Sequence, residues 1–384
     1  MKRSRTFIGA ALALAAASSF AGGVAASSTV VVRPGDVGTS WLSGTRPGGA
    51  SAFVTGPASA PLGVGSLQFT TADSSASAEL LNYSYIGTPL ANFDAMSYSA
   101  YRASSSTNPP TQTIALALEV DVNPPGQPGA FATLVFEPDY QSGGNPAMQT
   151  DTWQKWDAYQ GGKAIWWATQ DIPGAPVAFN SFVSWNTILA ANSQATIAGG
   201  VGLFVGSGWA GQFTGYGDAL AIGVSGNTTT YNFEPKAALT VTAPSATKVQ
   251  GEANATFVPS YAGFVYGDTA ASLTAEATCT SAATTASAVG QYSITCSGVV
   301  SANYNITYVP GTLDVVAVAT APPTELVGGE TAGPVRGATA PPTSAAGESA
   351  PGGDAALPFA LLICLAAGGL GLLAVEKQRR RVRQ

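Results

Sequence analysis

Gln291-Tyr292-Ser293-Ile294-Thr295-Cys296-Ser297, followed by Tyr304-Asn305-Ile306-Thr307-Tyr308 and the turn Pro310-Gly311, reads as two short β-strands ended by tight turns. The same alternation of Thr, Val and Tyr runs back through residues 257–264 and 239–242, with Gly267-Asp268 as a further turn. Residues 236–316 are therefore expected to form a small β-rich domain. Residues 268–273 are expected to make one helical turn with Asp268 as its N-cap. Cys279 and Cys296 both fall on expected strands flanking a polar turn, and outside a membrane such thiols pair. Closing that loop stabilises a domain by about 3 kcal/mol in the chain-entropy model. Two sulfurs without an imidazole offer too few ligands for a zinc site.

The order of residues here resembles the MBG family, the mostly bacterial Gly-rich repeats of surface proteins and large adhesins. The resemblance is carried by Leu239-Thr240-Val241-Thr242-Ala243 and by Tyr261-Ala262-Gly263-Phe264-Val265-Tyr266-Gly267-Asp268-Thr269. Val289-Gly290-Gln291-Tyr292 with Ile294-Thr295 continues it, and Asn303-Tyr304-Asn305-Ile306-Thr307-Tyr308 with Gly311-Thr312-Leu313 completes it. Gln250-Gly251-Glu252 stands where the family usually has a Tyr-Gly-Asp turn, though the turn glycine is kept. The resemblance implies a stalk or adhesion module without catalytic residues.

Upstream, residues 27–235 hold all seven tryptophans. Runs at 67–71, 95–102, 113–122, 132–137, 163–169 and 219–224 alternate or are β-branched, many bounded by Pro or Gly, and predict a β-sandwich of jelly-roll type. The segment resembles a group of uncharacterised secreted bacterial domains and, in layout only, concanavalin-like and carbohydrate-binding sandwiches. Gly63-Val64-Gly65-Ser66-Leu67, Gly87-Thr88-Pro89-Leu90, Ala95-Met96-Ser97-Tyr98-Ser99 and Trp153-Gln154-Lys155-Trp156-Asp157-Ala158 carry that likeness. So do Trp166-Trp167, Asp218-Ala219-Leu220-Ala221-Ile222-Gly223-Val224 and Tyr231-Asn232-Phe233-Glu234-Pro235. The expected class is thus mainly β: a jelly-roll-like sandwich, a small MBG-like domain and one C-terminal transmembrane helix.

Three chemistries are open to the large domain. Trp153, Trp156, Tyr159, Trp166, Trp167 and Trp185 crowd one region, and an outward ring there would stack on a sugar. Strand alternation sends one of Trp166 and Trp167 inward, so Trp156 and Trp167 are the expected ligand-binding rings, set against a plain core role. Glu137, Asp139, Asp151, Asp157 and Asp171 invite comparison with a glycosidase carboxylate pair. Glu137-Pro138-Asp139 echoes the acidic strand Glu-x-Asp-x-x-Glu of concanavalin-like glycosidases, but Pro138 breaks the alternation and Ser142 replaces the second glutamate, so no enzyme is expected. Asp36, Glu119, Asp121 and Asp218 are the oxygen ligands a Ca²⁺ site would draw on, Asp218 first, with loop capping as its alternative role. No other cofactor is implied.

The termini set the location. Lys2, Arg3 and Arg5 precede an apolar run at 7–17 and small residues up to Ala26, the pattern of a secretory signal peptide over residues 1–26. Residues 355–375 are uncharged and apolar, long enough to span a bilayer, and the basic tail 376–384 would stay in the cytoplasm. A single-pass type I membrane protein is expected, the bulk extracellular. The alternative is wall attachment after C-terminal processing, although no Leu-Pro-x-Thr-Gly-like motif precedes the apolar stretch. Residues 317–354 contain six prolines and a repeated Ala-Thr-Ala-Pro-Pro-Thr, starting at Ala319 and Ala338, and read as an extended stalk. At about 3.1 Å per residue such a stalk reaches on the order of 100 Å.

With both ends set aside, 8 basic residues face 21 acidic ones, a net charge of −13 against −6 for the whole chain. Such an exterior lacks the basic footprint of nucleic-acid binding. The chain has no histidine, which removes Ser-His-Asp and Cys-His nucleophile systems and imidazole metal sites. The expected function is membrane-anchored adhesion or binding, the head meeting a cell-surface or matrix glycan or protein. A purely structural envelope protein and a carboxylate-dependent wall hydrolase are the alternatives.

Overall fold

The computed structural model describes residues 26–122, 131–141, 146–171, 181–208 and 210–319. The expected signal peptide up to residue 25, nearly all of the stalk, the apolar stretch 355–375 and the basic tail lie outside them. Among the described residues no helix is long and apolar enough to cross a membrane.

The chain is mainly β. In order, the large N-terminal part contains β1 (Ser27–Val32), β2 (Trp41–Thr45), β3 (Gly49–Thr55), β4 (Gly65–Thr71), β5 (Ala78–Asn82), β6 (Phe93–Arg102) and β7 (Ala115–Asp121). It continues with β8 (Phe131–Phe136), β9 (Trp153–Asp157), β10 (Ile165–Ala168), β11 (Val183–Ser184), helix α1 (Trp185–Ala191), β12 (Thr196–Val205), β13 (Phe213–Val224) and β14 (Asn227–Phe233). Two seven-stranded sheets result. One runs β11-β10-β8-β7-β12-β5-β2; the other is organised around β13.

On one side β13 pairs with β6, whose far edge carries β9. On its other side β13 has two neighbours in succession: Phe213–Gly217 pair with β4, and Leu220–Val224 pair with β14. The change of partner falls at Asp218-Ala219, where the register shifts and Ala219 takes φ +52°, an uncommon left-handed conformation for a residue with a Cβ. Past the fork, Ser225 and Gly226 both have positive φ and close the two-residue hairpin into β14, as a type I′ turn requires. β3 continues from β4, and β1 lies parallel to β14.

The inner faces of the two sheets enclose one core. Trp41 of the first sheet stands edge-on to Tyr231 and Phe233 of the second at 5.0 and 5.4 Å between ring centres. Trp166 packs on Phe136 and Trp185, and its indole N–H donates to the Ala158 carbonyl at 3.1 Å. Face-to-face packing of alternating strands over a shared apolar layer is a β-sandwich.

The smaller part comprises β15 (Ala237–Thr242), β16 (Ala246–Val249), β17 (Ser260–Ala262), β18 (Thr278–Ser281), β19 (Gly290–Ser297), β20 (Tyr304–Val309) and β21 (Gly311–Val316). Its sheets are β17-β15-β20 and β16-β21-β19-β18. Two stretches of chain serve both sheets: β15 runs on into β16 beside β20 running on into β21, and both pairings are parallel. They approach most closely where they change sheets, since a Cβ on Gly311 would lie 2.0 Å from the Pro244 carbonyl oxygen. Cys279 and Cys296 are direct cross-strand partners on β18 and β19 and form the expected disulfide.

The two parts meet at a polar junction. Arg33 grips Asp268 through both terminal guanidinium nitrogens, and its Cζ lies 5.6 Å from the centre of the Tyr266 ring. Tyr304 also donates to Asp268, at 2.7 Å, and the Gly35 N–H donates to Asn303 Oδ1 at 2.8 Å. The Arg33 hydrogen bond holds the Asp268 carboxyl below its ordinary range. Asp268 is thus not the N-cap expected from sequence. The single turn spans Ala270–Ser272 and is preceded by Thr269, whose N–H donates to the Ser272 hydroxyl, because the guanidinium outcompetes a backbone N–H for the Asp268 carboxylate. A double-mutant cycle of Arg33→Ala and Asp268→Ala in urea denaturation should give a coupling of about 1 kcal/mol; additive losses would show the pair to be incidental.

Candidate functional site

In β9, Trp153 and Trp156 are separated by an odd number of positions, so the pleat sends them to opposite faces. Trp156 points inward and is 1% exposed, enclosed by the core. The expectation that Trp156 stacks on a ligand is corrected on that ground. Trp153 points outward and is half-buried.

Register places Trp153 beside Tyr101 of β6, Tyr101 beside Tyr216 of β13, and Tyr216 beside Gln68 of β4. The result is an aromatic row across the outer face of the forked sheet. Tyr101 meets Trp153 and Tyr216 edge-to-face, each at 5.7 Å between ring centres. Gln68 Nε2 donates to the Tyr216 hydroxyl at 2.9 Å, and the Tyr101 hydroxyl donates to Asp151 at 3.3 Å. Lys155, two residues from Trp153 on the same face, is exposed. Half-exposed rings interleaved with amide, carboxylate and ammonium groups give a surface that is apolar in its middle and polar at its margin.

A buried carboxylate holds this row in place. The Trp153 indole N–H donates to the Pro57 carbonyl at 2.9 Å, so the ring depends on the loop between β3 and β4. That loop is pinned by Asp218, which accepts the Leu62 N–H at 2.8 Å and the Phe233 N–H at 3.1 Å, and by Glu234, which accepts the Val64 N–H at 3.1 Å. Asp218 therefore bridges the branches of the fork, and its geometry is that of the loop-capping acceptor. Burial pushes its pKa up to about 6 despite the Phe233, Ala219 and Leu62 N–H groups, and the charge of Glu234 adds to the rise. Close approach is obligatory here, because a Cβ on Gly63 would lie 1.5 Å from Glu234 Oε1.

The other acids proposed as calcium ligands are not gathered around Asp218. Asp36 accepts the Arg33 N–H at 2.7 Å, and Glu119 accepts the Tyr83 hydroxyl and the Gly200 N–H at 3.0 and 2.7 Å. Asp121 ends β7, in the opposite sheet. Among the described residues no group of three or more His, Cys, Asp or Glu is placed to hold a metal ion.

Trp167 lies on the outer face of the opposite sheet, beside Val135 of β8. It is half-buried, and among the described residues its buried indole nitrogen has no well-formed hydrogen-bond partner. The indole lies near Glu137 and favours its carboxylate form. Burial dominates and, with the charge of Asp139, pushes the Glu137 pKa up to about 7. The remaining acids of the proposed pair-forming cluster serve local structure: Asp139 accepts the Thr111 hydroxyl, Asp151 the Ser104 N–H, and Asp157 the N–H groups of Tyr159 and Gln160. Asp171 is also engaged.

Comparison with known proteins identifies the smaller part. Residues 239–314 match the family model of the MBG domain (YGX type), and Tyr266-Gly267-Asp268 supplies a Tyr-Gly-x turn. No curated protein and no solved structure matches the chain.

Because the folded Glu137 carboxyl sits near 7 rather than at its ordinary 4.5, its neutral form is the stabilising one. Its contribution is complete below pH 4.5 and is lost as pH rises through 7. The wild-type chain should lose on the order of 3 kcal/mol from this group between pH 4.5 and 8, and Glu137→Gln should flatten the slope of stability against pH. Urea denaturation across that range checks it, with equal slopes as the contrary result.

Proposed function

We propose that this is a bacterial cell-surface protein whose β-sandwich head binds a glycan through the outer face of the forked sheet. The MBG domain supports the surface assignment. The observation that supports the ligand class is the row Trp153–Tyr101–Tyr216 with Gln68 and Lys155 beside it. A sugar ring has an apolar face of C–H bonds and a rim of hydroxyls, and this surface offers the complement of both: ring surface in the middle, donors and acceptors at the edge. Pre-ordering of Trp153 by its bond to Pro57 lowers the entropy lost on binding. The C-terminal apolar stretch would anchor the protein in the membrane, and the MBG domain and Pro-rich stalk would hold the head clear of it.

The hydrolase alternative rests on Glu137, whose neutral form persists to about pH 7. Asp139, the nearest second carboxylate in sequence, accepts a hydrogen bond from the Thr111 hydroxyl at 2.8 Å.

A polysaccharide-binding screen with the full chain tests the reading. Trp153→Ala or Tyr216→Ala should weaken binding at least about tenfold, the effect of losing one stacked ring of roughly 1.4 kcal/mol. Retained affinity in both variants, or no glycan bound by the wild type, would remove it. Release of glycan fragments that stops in Glu137→Gln would establish the enzyme instead.

A further inference from the structure

We propose that Lys155 makes the outer face of the forked sheet selective for an acidic glycan, one whose sugars carry a carboxylate or a sulfate group. The inference rests on the glycan reading of that face and names the class of sugar it takes.

The strands of the forked sheet hold two basic side chains, Arg102 and Lys155. Arg102 follows Tyr101 and so points to the other face. It is 3% exposed, and its guanidinium donates to the Asn108 and Gln112 carbonyls at 2.8 and 3.0 Å. Lys155 points outward and is exposed, and among the described residues its ammonium makes no ion pair.

The acids around Lys155 are engaged elsewhere. In the same strands, Asp94 accepts the Gly226 N–H, Asp157 accepts those of Tyr159 and Gln160, and the buried Asp218 accepts those of Leu62 and Phe233. Asp151, which precedes β9, accepts the Tyr101 hydroxyl and the Ser104 N–H. Residues 56–65, which include Pro57 and join β3 to β4, contain no charged side chain. Lys155 is thus a cation without a counter-charge among carboxylates already held by N–H and O–H donors.

Register puts that cation beside the aromatic row. Trp153, Tyr101 and Tyr216 are neighbours across β9, β6 and β13, and the adjacent outward row on the same strands is Lys155, Ser99 and Asp218. Along β9 the two rows are two residues, or about 7 Å, apart. A sugar ring stacked on Trp153 would bring a substituent within reach of the long, flexible ammonium side chain. A carboxylate or sulfate there gains a charge-assisted hydrogen bond, roughly twice as strong as the one a hydroxyl would make. Residues 27–354 carry 21 acidic against 8 basic side chains and repel a polyanion at a distance, so a preference for acidic sugars has to come from a local contact. β9 is also an edge strand, where a lysine hinders pairing with a second chain. Reversing the charge keeps such an edge guarded and separates the two roles.

The test pairs each acidic polymer with a neutral form of the same backbone: polygalacturonate with its methyl ester, and dextran sulfate with dextran. Affinities of the full chain in detergent are read as the acidic-to-neutral ratio. The wild type should prefer the acidic member of at least one pair by at least about fivefold, the scale of one exposed ion pair. Lys155→Ala should bring that ratio to one or below, Lys155→Glu should lower it further, and Lys155→Arg should restore it. Trp153→Ala should weaken both members of the pair, because it removes the stacking ring. Preference within the first pair identifies a carboxylate, within the second a sulfate. A wild-type ratio of one or below in both pairs, or a preference that survives Lys155→Glu, overturns the charge selection and leaves the glycan reading standing. Absence of binding to all four polymers also overturns it, and the glycan reading is then decided by the wider polysaccharide screen.

Discussion

One strand, β13, is shared along one edge by two neighbours, and the head depends on how that edge is divided. The left-handed turn of backbone at Ala219 offsets the ladder, and the Asp218 carboxylate fills the gap with acceptors for N–H groups arriving from both branches. A buried N–H left without an acceptor costs about 1–3 kcal/mol, so the fork is held by a side chain doing what a strand cannot.

The outer face of the sheet inherits its order from that division. Tyr216 lies two residues before Asp218 on the segment that still pairs with β4, and Gln68 is its cross-strand neighbour. The loop from β3 to β4 is tied down by Asp218 and Glu234 and in turn receives the Trp153 indole through Pro57. Glu234 then passes through Pro235 into β15, next to the Tyr266 ring over which Arg33 lies. Aromatic row, fork and junction are consecutive links in one polar chain, though they come from segments far apart in sequence.

Much of the strand content was legible. The runs at 67–71, 95–102 and 132–137 fall on β4, β6 and β8, because alternation of apolar residues reports a half-buried pleat directly. The disulfide was legible too, since only two cysteines lie outside the apolar C-terminal stretch. The choice between Trp153 and Trp156 was not: their odd spacing says that one is inside, but only the inward partners of β9 say which. Asp218 was singled out from its place before the closing strand, yet the Leu62 and Phe233 N–H groups that it accepts come from a register that no local pattern encodes. Asp268 looked like a helix cap because its partner, Arg33, is 235 positions away.

We propose that the head meets its ligand on the outer face of the forked sheet, ordered from Asp218 through the loop to Trp153. The indole N–H resonances of the seven tryptophans report on it directly when the protein is titrated with a polysaccharide that it retains. The Trp153 signal should shift saturably while those of the core residues Trp156, Trp166 and Trp185 stay fixed. Movement of Trp167 with Trp153 unchanged would place the ligand on the opposite sheet and contradict it.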